Sequence, residues 1–476
     1  LWFYSASASA PVTVLIAGVG TTFAVTGVTG VPVSYLVLMV GLSLLTVGYV
    51  TANGYLGHTA PFLAVTAHGL GRAFGLACGL LAVFAYLALQ VALFGFLGAT
   101  LAAFFGSASG WPFWSVVSAI VLGVVGLLRV DIMAKVLAVL LVAELVVIVG
   151  IVLAGFLDPA GGTVSLAASS PVRLFIGDWG GVLALSIAGF IGWETSAALT
   201  EEARSPRAVR RAVFGALFTL GPVYWLASLA VTAAVGPAAV QKAFQNDPVL
   251  PLTILAATLG PFGPLVLGIG QVLLVTSVGG AVLAFASAVN RYVYAMARER
   301  LLPAGLARTS GQGRVLRDAP VTASLVQTGL LVAVVLLFAG FGADPITVVF
   351  TWPAVFAAFA VITLLLVTSM AAMRYLARHR DTETAWIRLW APFLGVAAGG
   401  GLLGAMTLRM HTLLGAAQAS PATTLLIPSL VGGLLLTGLV WAGLLYAGRR
   451  DIFRGIGAGR PHPLAYPERR LAEVEL

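Results

Sequence analysis

Apolar runs long enough to cross a bilayer recur twelve times along this chain, roughly at 1–24, 32–53, 75–104, 112–129, 132–156, 178–200, 208–234, 263–297, 320–341, 345–372, 389–410 and 424–447. A helix of about 20 apolar residues covers the hydrocarbon core, and longer runs tilt or extend past it. The composition leaves no soluble alternative: 60% of the 476 residues are hydrophobic, 9% are charged, and the mean hydropathy is +1.03. A soluble domain is nearer to about 25% charged. The chain therefore reads as an all-α polytopic membrane protein of 12 transmembrane helices. Its 56 glycines suit close helix packing in lipid, where small residues let backbones approach. A single cysteine, Cys78, excludes an internal disulfide and any CxxC metal site.

Lys and Arg give the orientation. One set of connectors, with the tail, holds 23 of the 26 basic residues, including Arg72, Arg129, Lys135, the Arg204–Arg211 cluster, Arg291–Arg317, Arg374–Arg388 and Arg449–Arg470. The other set holds 3: Arg173, Lys242 and Arg409. The positive-inside rule then places both termini in the cytoplasm of a multi-pass cytoplasmic-membrane protein. The formal charge of +9 lies in these short loops and the tail, so it does not point to nucleic acid. The first apolar segment runs straight into a span pattern, and no signal peptide is expected. The polar tail, with Pro461, Pro463 and Pro467, reads as a mobile or loosely docked segment.

Two of the spans carry breaks. Ser5-Ala6-Ser7-Ala8-Ser9-Ala10-Pro11 interrupts the first, and Gly189-Phe190-Ile191-Gly192 interrupts the sixth just before Glu194. Pro11 and Gly192 stand 181 residues apart; spans 2 and 7, beginning near 32 and 208, are 176 apart. Spans 3 and 8 begin near 75 and 263, and spans 5 and 10 at 132 and 345, with a long connector around 300–318 absorbing the larger offset. Each five-span half thus opens on an interrupted helix, the best sequence pointer to a transporter with inverted repeats. The divisions expected are a first repeat at 1–156, a connector at 157–177, a second repeat at 178–372, two further spans at 373–447 and a tail at 448–476. Unpaired backbone groups are costly in hydrocarbon, so a break survives where something satisfies it. Freed N–H groups attract a carboxylate and freed carbonyls an ammonium. One break of each kind, facing each other, would recognise a zwitterion. Either break alone also reads as a plain kink.

The stretch FIGWETSAALTEEARSPRAVRRA resembles the sixth-span signature of the amino acid–polyamine–organocation superfamily of permeases, and FIGWE is similar to the equivalent stretch of bacterial arginine/agmatine antiporters. SAVNRYVYAMARERLLPAGLART resembles the family's eighth-span exit, and AHGLGRAFGLACGLLAVFAYLALQ resembles the second loop and third span of actinobacterial-type members. SAPVT fits that branch's Ala-Pro form of the first break. The resemblance implies a LeuT-like fold of two inverted five-helix repeats and a secondary carrier for amino acids. It also implies that the amides of the first break, Ser7, Ala8, Ser9, Ala10, Pro11, Val12 and Thr13, hold the substrate carboxylate. The carbonyls of Ala188, Gly189, Phe190, Ile191 and Gly192 would hold its amine. Three features depart from the family pattern: the Gly-rich first break is absent, the large aromatic gate before Trp193 is Ala188, and the second connector reads His58-Thr59-Ala60-Pro61-Phe62.

Glu144 falls at the middle of span 5. A charge there costs about 2.5–3.5 kcal/mol, so it should face the bundle. It reads either as a proton carrier or as a neutral structural carboxyl. Among relatives of this family, a cation or a lysine occupies this neighbourhood. Glu194 reads as a helix-start acid or a proton sensor. Glu201 and Glu202, with Arg204, Arg207, Arg210 and Arg211, read as a salt-bridge network and inner gate. Tyr86 and Gln90, four apart on span 3, share a face and could line the pathway or, equally, bond to neighbouring helices. Gln271, Thr276 and Ser277 of span 8 are equally open. A membrane enzyme would need a cluster of His, acids or a nucleophile at one depth. The five histidines lie in connectors, span ends or the tail, and neither HExxH nor GxSxG occurs. The expected function is proton-coupled uptake of amino acids by alternating access. The alternatives are amino acid or polyamine exchange, or a sensor of the same fold. The partners are then an amino acid, protons and membrane lipid; no cofactor is expected.

Overall fold

A computed structural model describes residues 1–107, 110–127, 130–203, 205–308, 321–416 and 418–459, and among these every regular element is a helix. Arg129, Arg204, Arg314, Arg317, Arg460, Arg469, Arg470 and the prolines of the tail lie outside the described residues, as do the side chains of Asp131 and Glu202.

The order is α1 (Trp2–Thr26), α2 (Val31–Leu56), α3 (Pro61–Gly69), α4 (Arg72–Phe104), α5 (Trp111–Val125), α6 (Val130–Leu157), α7 (Trp179–Gly189), α8 (Pro206–Val235), α9 (Gly263–Arg298), α10 (Val321–Gly340), α11 (Pro345–Leu376), α12 (Trp386–Leu408), α13 (Pro421–Gly448) and α14 (Arg450–Gly455). Among the described residues, ten helices are long and apolar enough to cross a membrane, and α5 and α7 are apolar but shorter. α5 and α7 stand where the fourth and sixth apolar runs were read. The sixth run differs from expectation beyond its break: Thr195–Glu202 winds as a tight 3-10 coil rather than resuming an α-helix. Further short helices, Pro171–Phe175, Val240–Asn246 and Leu250–Thr258, sit on the connectors.

The helix starts follow local chemistry. Ser205 caps α8 by accepting from the Ala208 N–H, Asp178 caps α7 through the Gly181 N–H, and Ser420 forms a capping box with Thr423 on α13. Proline follows the cap at α8 and α13, where its missing N–H is no loss. α4 is the hub, packed on α3, α5, α9, α11 and α13; α8 packs along α2, and the opening turns of α1 on α6, α8 and α9. Close approach needs small residues: a Cβ on Gly395 of α12 would stand 2.6 Å from the Leu45 backbone nitrogen of α2.

The connectors collect at two ends. At one end Phe23 stacks on Phe244 with ring centroids 5.7 Å apart, and Arg409 pairs with Asp178 at 2.7 Å. The opposite, arginine-rich end holds the Arg298–Glu201 pair, the Tyr55–Glu383 hydrogen bond and the chain after α13. That last segment is not loosely attached as far as Gly459: Ile452 and Ile456 are buried.

Candidate functional site

The first break follows from its proline. Pro11 has no N–H, and its ring drives the preceding residue out of the right-handed helical region. Ala10 leaves that region for left-handed backbone at φ 46, ψ 67, in place of the extended backbone usual before proline, and the opening helix stops at Ala8 with Ser9 as its cap. The chain resumes at Pro11–Thr13, widens into a π turn over Val14–Val19 and regains α geometry at Gly20. Left-handed backbone at a residue bearing a β-carbon costs about 1–2 kcal/mol. Strain of this kind collects at functional positions.

At the second break α7 tightens over Ile187–Gly189 and unwinds through Phe190–Glu194. Gly192 has φ +114, and a Cβ there would lie 2.6 Å from the Ala8 Cβ and 3.0 Å from Phe285 Cζ. The two breaks therefore touch. The Ser9 hydroxyl donates to the Phe190 carbonyl at 3.2 Å, and the Ser5 hydroxyl donates to Ser196 Oγ at 2.6 Å. Ser7 turns elsewhere, to the Leu137 carbonyl of α6 at 3.3 Å.

Each break holds a buried acid. The Val12 N–H, freed at the first break, donates to Glu144 Oε2 at 3.2 Å, and the Ser277 hydroxyl of α9 donates to the same oxygen at 2.8 Å. α6 presents Val139, Val142, Val146, Val149 and Leu153 outward, while Glu144 is 1% exposed on its inner side. At the second break the Gly192 N–H donates to Glu194 Oε2 at 3.0 Å, and Tyr86 OH donates to Glu194 Oε1 at 2.9 Å. Glu194 precedes the 3-10 coil, but its side chain makes no cap there. Its carboxylate bends back to the break instead.

Other expected residues fall in different places. Gln90 meets neither break: Gln327 of α10 donates to its side-chain oxygen at 2.7 Å. Gln271 is exposed, and Thr276 bonds to its own helix. The acid network at the helix end is also different. Glu201 pairs with Arg298 of α9 at 2.6 Å, whereas Arg207 and Arg210 line a separate surface cavity with Glu383. Sequence reasoning noted Ser277 without a partner and passed over Ser196 and Thr46, which accepts from the Trp193 ring N–H at 3.2 Å. No spacing rule says which hydroxyl of a long helix will turn toward a given neighbour.

Residues 4–13 and 189–199 are buried throughout, but Ala188 between them is exposed. Trp179 and Leu183 line an outer groove with α2 and α12. Ala188 lies nine residues past Trp179, about two and a half helical turns, and so on the other face of α7. A solvent-accessible alanine thus stands beside two breaks whose backbones are otherwise packed. Thr13 adds a buried hydroxyl without a hydrogen-bond partner. Among the described residues no group of three or more His, Cys, Asp or Glu side chains is placed to hold a metal. The site offers backbone dipoles, two carboxyls and hydroxyls, which is binding chemistry.

A family model described as amino acid permease matches residues 4–424 of the chain. No curated protein matches it.

Proposed function

The chain belongs to the amino acid permease family, within the amino acid–polyamine–organocation superfamily, and on that premise we propose that it carries amino acids across the cytoplasmic membrane by alternating access, coupled to protons. The family and the apolar helices make it a multi-pass membrane protein of the transporter kind. Beyond that, our reading is a twelve-span LeuT-like arrangement in which α5 and α7 also cross. Its support is that supposed counterparts pack on each other: α2 on α8, α4 on α9, α5 on α10, and break on break.

The observation that carries the proposal is the meeting of the breaks at Ser9 and Phe190 beside the exposed Ala188. In this reading the amides of Ser7 to Thr13 take the substrate carboxylate, and the carbonyls of Ala188 to Gly192 take its amine. Tyr86 braces the second break through Glu194 and Gln90 stands further along the same face. The arginine-rich end is cytoplasmic, and the site opens toward the other end. Val14, Ala17, Gly18 and Thr21, which are half-buried or exposed along one stripe of α1, would wall that entrance.

Glu144 is the proposed proton carrier. Both of its donors reach Oε2, so protonation at Oε1 would leave them in place while removing the charge beside the first break. Glu194, held by its own segment's Gly192 N–H and by Tyr86 of α4, is the secondary candidate. Uptake of labelled amino acids by purified protein in proteoliposomes, with and without a proton gradient, tests this reading. Accumulation that follows the gradient supports it. Counterflow without accumulation makes the protein an exchanger, and binding without transport makes it a sensor.

A further inference from the structure

Beyond α13 the chain turns back onto the bundle. Ile452 and Ile456 are buried, and the next residues converge on one carboxylate. The Gly457 N–H donates to Glu299 Oε2 at 3.0 Å, and the Gly459 N–H donates to Glu299 Oε1 at 2.8 Å. His58 Nε2 lies 2.9 Å from Oε1. The Ala60 N–H donates to His58 Nδ1 at 2.8 Å, so that nitrogen carries no proton and the ring's N–H is Nε2, aimed at Glu299. Both glycines are required. Each has left-handed backbone, and a Cβ on Gly457 would stand 2.8 Å from the Ala67 Cβ of α3.

Glu299 is therefore a knot between segments far apart in the sequence. It directly follows α9, whose last residue, Arg298, holds Glu201 beyond the second break. α9 also holds α3, because the Phe62 N–H donates to Tyr292 OH at 3.1 Å. His58 belongs to the unusual connector between α2 and α3. The returning chain covers the point where these elements meet.

We propose that Ile456–Gly459 is a latch: seated on Glu299 and His58, it holds the arginine-rich end of the bundle shut, and it leaves that seat each time the end opens. The latch rests on the alternating-access reading. Its seat suits such use. The segment follows the last long helix and can lift without unwinding any span. The Glu299 carboxylate lies at the water-facing end of α9, so hydration can replace the glycine N–H groups once they depart. Two discrete arrangements, bonded to the glycines or to water, make the kind of bistable element that conformational switches use.

The test uses the full chain in proteoliposomes with Cys78→Ala, which leaves no native thiol. Arg72 and Ala458 are exposed and line one surface cavity, so Arg72→Cys with Ala458→Cys gives a pair that a bifunctional methanethiosulfonate reagent can bridge without altering Glu299, His58 or either glycine. The bridge should bring uptake to background while amino acid binding, read by thermal shift, persists; reduction, which cleaves it, should restore uptake. A verified cross-linked protein that transports at its reduced rate overturns the latch. In a second arm, Gly457→Ala frees the segment, and Ser5→Cys reports opening by alkylation with a membrane-impermeant reagent applied from the arginine-rich side. Labelling should rise severalfold. Unchanged labelling, with the loosened segment newly cleaved by trypsin at Arg454, also overturns the latch. If no form transports, the carrier reading fails, and the second arm still decides the latch because it needs no substrate.

Discussion

At the first break the chain turns through Ala10, a residue with a β-carbon held in left-handed backbone; at the second it turns through Gly192, which has none. The freed amide differs in the same way. Val12 finds its acceptor in Glu144, 132 residues away on another helix, whereas Gly192 finds Glu194 two residues along. The first break is strained and answered from outside. The second is relaxed and answered from within. A change of charge on Glu144 therefore acts across α6, α1 and α9, while Glu194 answers its own segment's amide and one outside hydroxyl, Tyr86 of α4. The contrast suggests a division of labour, with coupling at the first break and shape at the second.

The severest test of that division is Gly192→Ala. The new Cβ meets Ala8 and the left-handed backbone disfavours it, so the breaks must part. A misplacement of about 1 Å at a site can cost about a hundredfold in rate, and uptake by reconstituted protein should fall by about that factor. Normal uptake would show that the second break's shape is dispensable. Glu144→Gln comes next. The amide keeps an oxygen for Val12 and Ser277 but cannot carry a proton, so gradient-driven accumulation should vanish while counterflow continues. Accumulation with ordinary pH dependence would remove coupling from the first break. Ala188→Trp should lower uptake about tenfold or more by filling the accessible space beside the breaks, a loss of about 1.4 kcal/mol in binding being tenfold; Ala188→Ser should not. Tyr86→Phe removes one interhelical hydrogen bond. Such bonds average about 0.6 kcal/mol in membranes, so the apparent affinity for substrate should weaken only about threefold. A much larger loss would mean that the second break, too, depends on an outside partner. The smallest effect belongs to Ala10→Gly: relief of about 1–2 kcal/mol of left-handed strain outweighs the roughly 0.4–1 kcal/mol that glycine adds to unfolded-chain entropy, so stability should rise by at most about 1 kcal/mol. A decrease would show that Ala10 is not strained.

Much of this was legible before any coordinates. Pro11 and the glycines at 189 and 192 mark where helices must stop, because a missing N–H and a missing Cβ are local facts. Glu144 was legible as a buried acid from its position among apolar residues. Its partners were not. Ser277 is one of several hydroxyls on α9, and Val12 offers only a backbone amide, which no sequence distinguishes. Gln90 shows what a shared face leaves open: its place beside Tyr86 on α4 allowed the pathway or a neighbouring helix, and the two side chains reach different neighbours, Gln327 and Glu194. The arginine-rich exit of the second break was expected to pair within itself, and Glu201 instead reaches Arg298.

By itself the sequence settled what each segment must avoid. Long apolar runs must leave water, a proline must end a helix, and a mid-depth acid must turn inward; each rule acts within a few residues or on bulk solvation. Which groups answer one another was decided only by packing. The partners of Glu144, Glu194 and Glu299 come from helices that meet through close-fitting surfaces. A hydrogen bond needs its atoms placed to within a few tenths of an ångström, and only the assembled bundle supplies that.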